Sequence, residues 1–180
     1  MKLTRLSFIA WVFELGKAAL VLAVIGLFVH SFIATIFVVE GASMEPNFKN
    51  GEYLIINRIS YFIQNPKRGD VTVLKFPGRL QEKYIKRIVG LPNETLEIKD
   101  NAVYIDGKKI REDYLPSSVN TQPDMTIRLS KNEYFVMGDN RENSNDSRIW
   151  GICPKENLIG KAIFILYPLA SWNTVPVPSY

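Results

Sequence analysis

Histidine and cysteine are nearly absent from this chain: its 180 residues contain one of each, His30 and Cys153. A single cysteine rules out an intramolecular disulfide and a four-cysteine zinc site, and Cys153 reads as a small buried hydrophobe. A single histidine rules out the paired-histidine zinc proteases. His30 also falls inside an apolar run, 13 residues before Ser43, about 20 Å back along a helix rising ~1.5 Å per residue. No imidazole is then within hydrogen-bond reach of that serine, so a hydrolase built here needs another base. His30 itself reads as a neutral side chain bonded within the bilayer. Charge of one sign is scarce too. The net charge of +4 divides evenly between the first 39 residues and the rest, and no basic cluster is interleaved with aromatics. Nucleic acid is therefore not an expected partner, whereas mild positive charge suits an anionic membrane face.

What the chain does have is a charge-free run from Ala18 to Val39, bounded by Lys17 and Glu40. As a helix it would measure about 33 Å, enough to cross a hydrocarbon core of roughly 30 Å once. Lys2, Arg5 and Lys17 precede it, while acidic and basic residues mix behind it, so the positive-inside bias puts the N-terminus in the cytoplasm. The expected organisation is a cytoplasmic segment at 1–17, a transmembrane anchor at 18–39 and an extracytoplasmic domain at 40–180 of a plasma-membrane protein. Behind the anchor, short β-branched and aromatic runs recur between turn signals: Tyr53–Arg58, Val71–Phe76, Tyr84–Val89, Thr95–Ile98, Ala102–Ile105, Lys108–Ile110, Ile127–Leu129, Tyr134–Met137 and Ile159–Tyr167. The fold class is mainly β, an all-β domain after one N-terminal helix. Asp106-Gly107 is a type I′ hairpin signal, and Lys99-Asp100-Asn101 marks the turn before it. Residues 99–132 thus read as a short hairpin excursion. The tail from Tyr167, rich in proline and aromatics, can close the fold or touch headgroups.

Three stretches could carry chemistry. Gly41-Ala42-Ser43-Met44-Glu45-Pro46 follows the apolar run; Pro46 biases Glu45 toward extended backbone and Gly41 permits an unusual φ. Ser43 is expected at an abrupt exit from the membrane helix, working at the bilayer surface. In Tyr84-Ile85-Lys86-Arg87-Ile88-Val89, strand alternation gives Lys86 apolar neighbours on its own face. Such a lysine usually snorkels to water. Buried and neutral, it would be a general base, and neutralising an amine at pH 7 costs roughly 4.6 kcal/mol, which burial must supply by lowering the pKa. The third stretch, Gly138 to Arg148, is densely polar. It reads as an exposed loop at Glu142, Asn143 and Asn145, or as a buried network in which Asp and Arg must pair.

Together these stretches resemble the type I signal peptidases, membrane-anchored serine-lysine proteases that remove secretory signal peptides. The resemblance covers residues 41–48, 69–76, 84–92 and 134–151 in the family's order. It implies Ser43 as nucleophile, with its backbone N–H binding the oxyanion, and Lys86, directly before Arg87, as general base. It further implies that Ser144 orients the lysine, that Asp139, Asp146 and Arg148 brace the site, and that Gly69-Asp70-Val71 is a core strand motif. The implied partners are signal-peptide-bearing precursors, membrane lipid and a secretion translocon; no cofactor or metal is implied. Three positions depart from the pattern: Asn47 stands where threonine is usual, Asn93-Glu94 replaces Gly-Asp, and Gly41 occupies the place of a serine that helps bind the oxyanion in some members. An inactive membrane-anchored homologue that binds precursor tails is the alternative reading.

Overall fold

The computed structural model describes residues 2–28 and 33–178. Helix α1, Lys2–Phe28, comes first, and Ala10–Leu27 within it is long and apolar enough to cross a membrane. Its apolar side chains point outward on every side, with Phe13 68% and Leu22 69% exposed, as suits a helix whose solvent is lipid. The expected anchor at 18–39 is therefore corrected at both ends. Lys17 does not bound the helix but pairs with Glu14 one turn back at 2.5 Å. At the other end, Ala34–Val38 forms strand β1 and not helix. A charge-free run cannot by itself separate helix from buried strand. Here the β-branched and aromatic Thr-Ile-Phe-Val favours the strand, Phe37 packs on the core and Val39 is buried. The reading of His30 lies outside the described residues.

The remaining elements are β2 (Tyr53–Asn57), α2 (Ser60–Ile63), β3 (Val71–Phe76), β4 (Arg79–Gly90), β5 (Thr95–Lys99), β6 (Ala102–Ile105), β7 (Lys108–Lys109), β8 (Met125–Arg128), β9 (Glu133–Met137), α3 (Ser147–Trp150), β10 (Cys153–Pro154), β11 (Leu158–Tyr167) and β12 (Asn173–Thr174). The protein is mainly β, as expected. One sheet runs β1-β2-β11-β3-β4-β9-β10, with β12 on β11, and the excursion forms a second sheet ordered β7-β6-β5-β8. Asp106 and Gly107 take φ of 49° and 79°, and Asp100 and Asn101 take 49° and 59°, so both hairpins turn with the left-handed pairs their twist requires.

Strand β4 organises the molecule. Its first half is an exposed hairpin arm on β3, whereas from Ile85 to Gly90 every residue is buried. There it is sandwiched between β3 (Lys86 opposite Thr72) and β9 (Arg87 opposite Met137). Ile85 joins the core cluster of Met44, Phe48 and Leu54; Val89 joins that of Leu96 and Phe135; Ile88 joins that of Leu74 and Val136. Lys86 and Arg87 are thus carried into the interior by a strand whose apolar neighbours anchor three clusters.

Candidate active site

Ser43 lies in the turn between β1 and β2. The two ends of that turn are closed by Val39 N–H to Glu52 O (2.8 Å) and Gly51 N–H to Val39 O (2.8 Å). Met44 and Phe48, fully buried, pin it to the core, while Gly41 adopts φ of +84° and donates to Asn50 Oδ1 at 2.8 Å. The abrupt turn is present, but it follows strand β1 and not the membrane helix. A cleft of about 510 Å³ opens beside it, walled by Ile36 and Val38 on one side and Lys83, Tyr84 and Ile85 on the other.

Lys86 projects into this cleft and is 3% exposed. Its Nζ lies 2.8 Å from Ser43 Oγ and donates to the Ile85 carbonyl at 2.9 Å. Burial lowers the lysine pKa to about 8, opposed by the charges of Asp146 and Asp139 and assisted by Arg148. As ammonium the group donates to Oγ; as amine its lone pair can take the hydroxyl proton. An imidazole-free serine and a lowered lysine in contact form a pair able to support acyl transfer.

Three of the expected bracing residues form ion pairs around this pair. Arg87 binds Asp139 through Nε–Oδ1 (2.8 Å) and a second nitrogen to Oδ2 (2.6 Å), and also donates to Gly69 O (2.9 Å). Asp146 accepts from Gly138 N–H (2.9 Å) and from Arg148 Nε (2.8 Å) and a terminal nitrogen (2.7 Å). Burial disfavours the Asp146 carboxylate, but Arg148 and the Gly138 N–H outweigh it and hold its pKa below the ordinary value. Ser144 behaves differently from expectation: its buried Oγ makes no hydrogen bond to Lys86, and its hydroxyl instead helps keep the Asp146 carboxyl charged. It packs against Gly138, where a Cβ would lie 2.2 Å from Ser144 Oγ and 2.4 Å from the Ser43 carbonyl oxygen. No side chain fits at 138, which makes this glycine a spacer between the two serines.

Sequence reasoning missed Asn140, Asn47, Arg141, Glu112 and Tyr114 as site residues. Asn140 donates its N–H to Ser43 O (3.0 Å) and its amide to Ala42 O (3.1 Å). Because a trans peptide sets its N–H opposite its carbonyl, fixing Ala42 O also fixes the direction of the Ser43 N–H. Asn47, the residue that departs from threonine, donates to Asp139 Oδ2 (2.8 Å) and Tyr114 O (2.9 Å). Glu142, Asn143 and Asn145 are exposed, as expected of a loop.

The family model described as "Signal peptidase, peptidase S26" matches residues 12–167. The chain belongs to this signal peptidase family. It is 35% identical over 163 residues to a probable signal peptidase I-1 of Synechocystis sp., covering 86% of this chain and 82% of that one. It is 36% identical over 165 residues to a signal peptidase I of Bacillus amyloliquefaciens, covering 86% and 85%. A crystal structure of a signal peptidase I from Enterococcus faecalis V583 shares 31% identity and covers 54% of this chain and 97% of that one, with a TM-score of 0.49.

Proposed function

We propose that this chain is a membrane-anchored serine endopeptidase that removes signal peptides from exported precursors at the outer face of the plasma membrane. The observation that carries the reading is the 2.8 Å contact between Ser43 Oγ and a buried, pKa-lowered Lys86, in a member of the signal peptidase family. Lys86 accepts the Ser43 proton as Oγ attacks the scissile carbonyl, and the oxyanion faces the Ser43 N–H. Lys86 then protonates the leaving amine, and a water deprotonated by Lys86 releases the acyl group. Helix α1 holds the catalytic domain beside the bilayer that also holds the signal's apolar segment, so the search for the scissile bond is two-dimensional. The N-terminus lies in the cytoplasm, and the chain works on precursors emerging from the translocon. The test is incubation of the full chain in detergent with a precursor whose signal ends in Ala-x-Ala, with acid quenching and intact-mass analysis. Cleavage after the last alanine and an acyl adduct on the Ser43 peptide are expected; an uncut precursor overturns the assignment.

A further inference from the structure

Residues 110–124, which return from β7 to β8, form no strand, yet they meet the Gly138–Arg148 loop and its supports at four points. Arg141, 1% exposed at its side chain, donates to both Glu112 oxygens (3.0 and 2.6 Å), to Thr121 Oγ1 (3.0 Å) and to Tyr114 Oη (3.1 Å). The Tyr114 carbonyl takes the Asn47 amide that also binds Asp139. The Tyr114 ring lies 4.1 Å from the Arg87 guanidinium. Arg148 donates to Gln122 O at 2.8 Å. On its inner side, Arg141 Nε donates to Gly138 O at 3.1 Å, the glycine wedged between Ser144 and the Ser43 carbonyl.

We infer that residues 112–122 are a strap that sets the geometry of the Ser43–Lys86 pair from outside the site, with Glu112 as a positioning residue that acts through Arg141 on Gly138. The inference rests on the serine-lysine reading above. A buried ion pair is weak support for stability, since a well-packed apolar pair serves as well. What the fork of Arg141 adds is direction: it clamps a loop that, before α3 begins at Ser147, has a single 3-10 turn, Arg141–Asn143, as its regular structure. Gly138 has no slack on its other side, so any shift of Arg141 is passed to the Ser43 carbonyl, and misplacement by about 1 Å can cost on the order of 100-fold in rate. Loosening the loop also admits water to the Lys86 amine and so relaxes the burial that is the main cause of its lowered pKa.

The test compares wild type, Glu112→Ala, Glu112→Gln and Thr121→Val as full chains in detergent, with Lys108→Ala as an exposed control on β7. Kinetics on the Ala-x-Ala precursor from pH 6 to 10 are paired with hydrogen exchange at residues 138–146. Glu112→Ala is expected to lower kcat by about 30-fold with KM within about twofold, to move the alkaline midpoint of kcat upward and to speed exchange in the loop. Glu112→Gln, which keeps an acceptor for Arg141, recovers most of kcat. Thr121→Val, which removes one bond and no charge, moves each readout the same way by about threefold. Unchanged kcat and pH midpoint in Thr121→Val, with only a lower melting temperature, overturn the strap, even if Glu112→Ala does not fold. If wild type cuts no precursor, the serine-lysine reading fails, and exchange in Thr121→Val still decides: faster exchange supports the strap and unchanged exchange overturns it.

Discussion

Arg87 and Lys86 are consecutive on β4, both buried, and face opposite sides of the strand. Arg87 meets a carboxylate through two bonds, a carbonyl through a third and a tyrosine ring. Lys86 meets two neutral oxygens, Ser43 Oγ and Ile85 O. Burial is the same; the counter-ion is not. On the Arg87 side the charge is held by its partners, whereas on the Lys86 side it is shed at an accessible pH because no carboxylate among the described residues touches it. An unpaired buried cation is unfavourable for the fold, and that is the condition under which an amine becomes a base near neutrality.

The largest effects that sharpen this contrast are on cleavage. Ser43→Ala and Lys86→Met are each expected to lower kcat by at least about 10³–10⁴-fold, and the double variant no further, because the two side chains act as one unit. Yet Lys86→Met should fold at least as well as wild type in thermal melts, since it replaces an unpaired buried amine with an apolar chain of similar shape. Arg87→Met should behave in the opposite way. It strands the fully buried Asp139, and about 3–5 kcal/mol of stability is expected to be lost in denaturant titrations. Equal stability losses in Lys86→Met and Arg87→Met would erase the distinction.

The pH dependence comes next in size. Activity should rise through a pKa of about 8 as Lys86 becomes the free amine. Stability follows with a definite sign. Below about pH 8 folded and unfolded chains both carry the Lys86 proton, and the burial penalty is fully present. Between about 8 and the ordinary lysine value of 10.5, the unfolded chain binds a proton that the folded chain has released. Stability therefore rises with pH across that window, by an amount of order 3 kcal/mol. Denaturant midpoints of wild type and Lys86→Met at pH 7 and pH 10 check this: wild type should gain on the variant as pH rises, and parallel curves would sink the buried-amine reading.

How much of this was legible in the sequence depends on how local the cause was. Strands such as Val71–Phe76 and Ala102–Ile105 are bounded in the structure as their residues imply, because β-branched runs and left-handed turn residues act within a few positions. The switch from helix to strand was not legible: Ala34–Val38 is as charge-free as residues 18–28 of the helix, and pairing with β2 makes it a strand. Residues 86 and 87 could be read as opposite faces of one strand, but that Ser43 reaches Lys86 follows from topology and was named only through the family resemblance. Asn93 is an instructive departure. It stands where glycine is usual and takes φ of 69°, a conformation asparagine tolerates, so the turn is kept without the glycine. The Glu112–Arg141 contact left no local trace, because 29 positions and strands β8 and β9 separate its ends.

The smallest effect expected is at Asn47, the other departure. Its amide spends both protons, one on Asp139 and one on the Tyr114 carbonyl. A threonine hydroxyl has a single proton to give. Asp139 already holds Arg87 on both oxygens, so in Asn47→Thr the loss falls on Tyr114. The expected cost is about 0.5–1.5 kcal/mol, read as a melting temperature lower by about 2–5 °C, with kcat within about threefold of wild type. Because Tyr114 and Thr121 belong to the same segment, combining Asn47→Thr with Thr121→Val should cost less in kcat than the two changes multiplied. Once one tie has let the segment move, the second has less geometry left to lose. Strict multiplicativity would mean that the two contacts hold separate pieces of backbone, and the excursion would then be a set of independent contacts and not one strap.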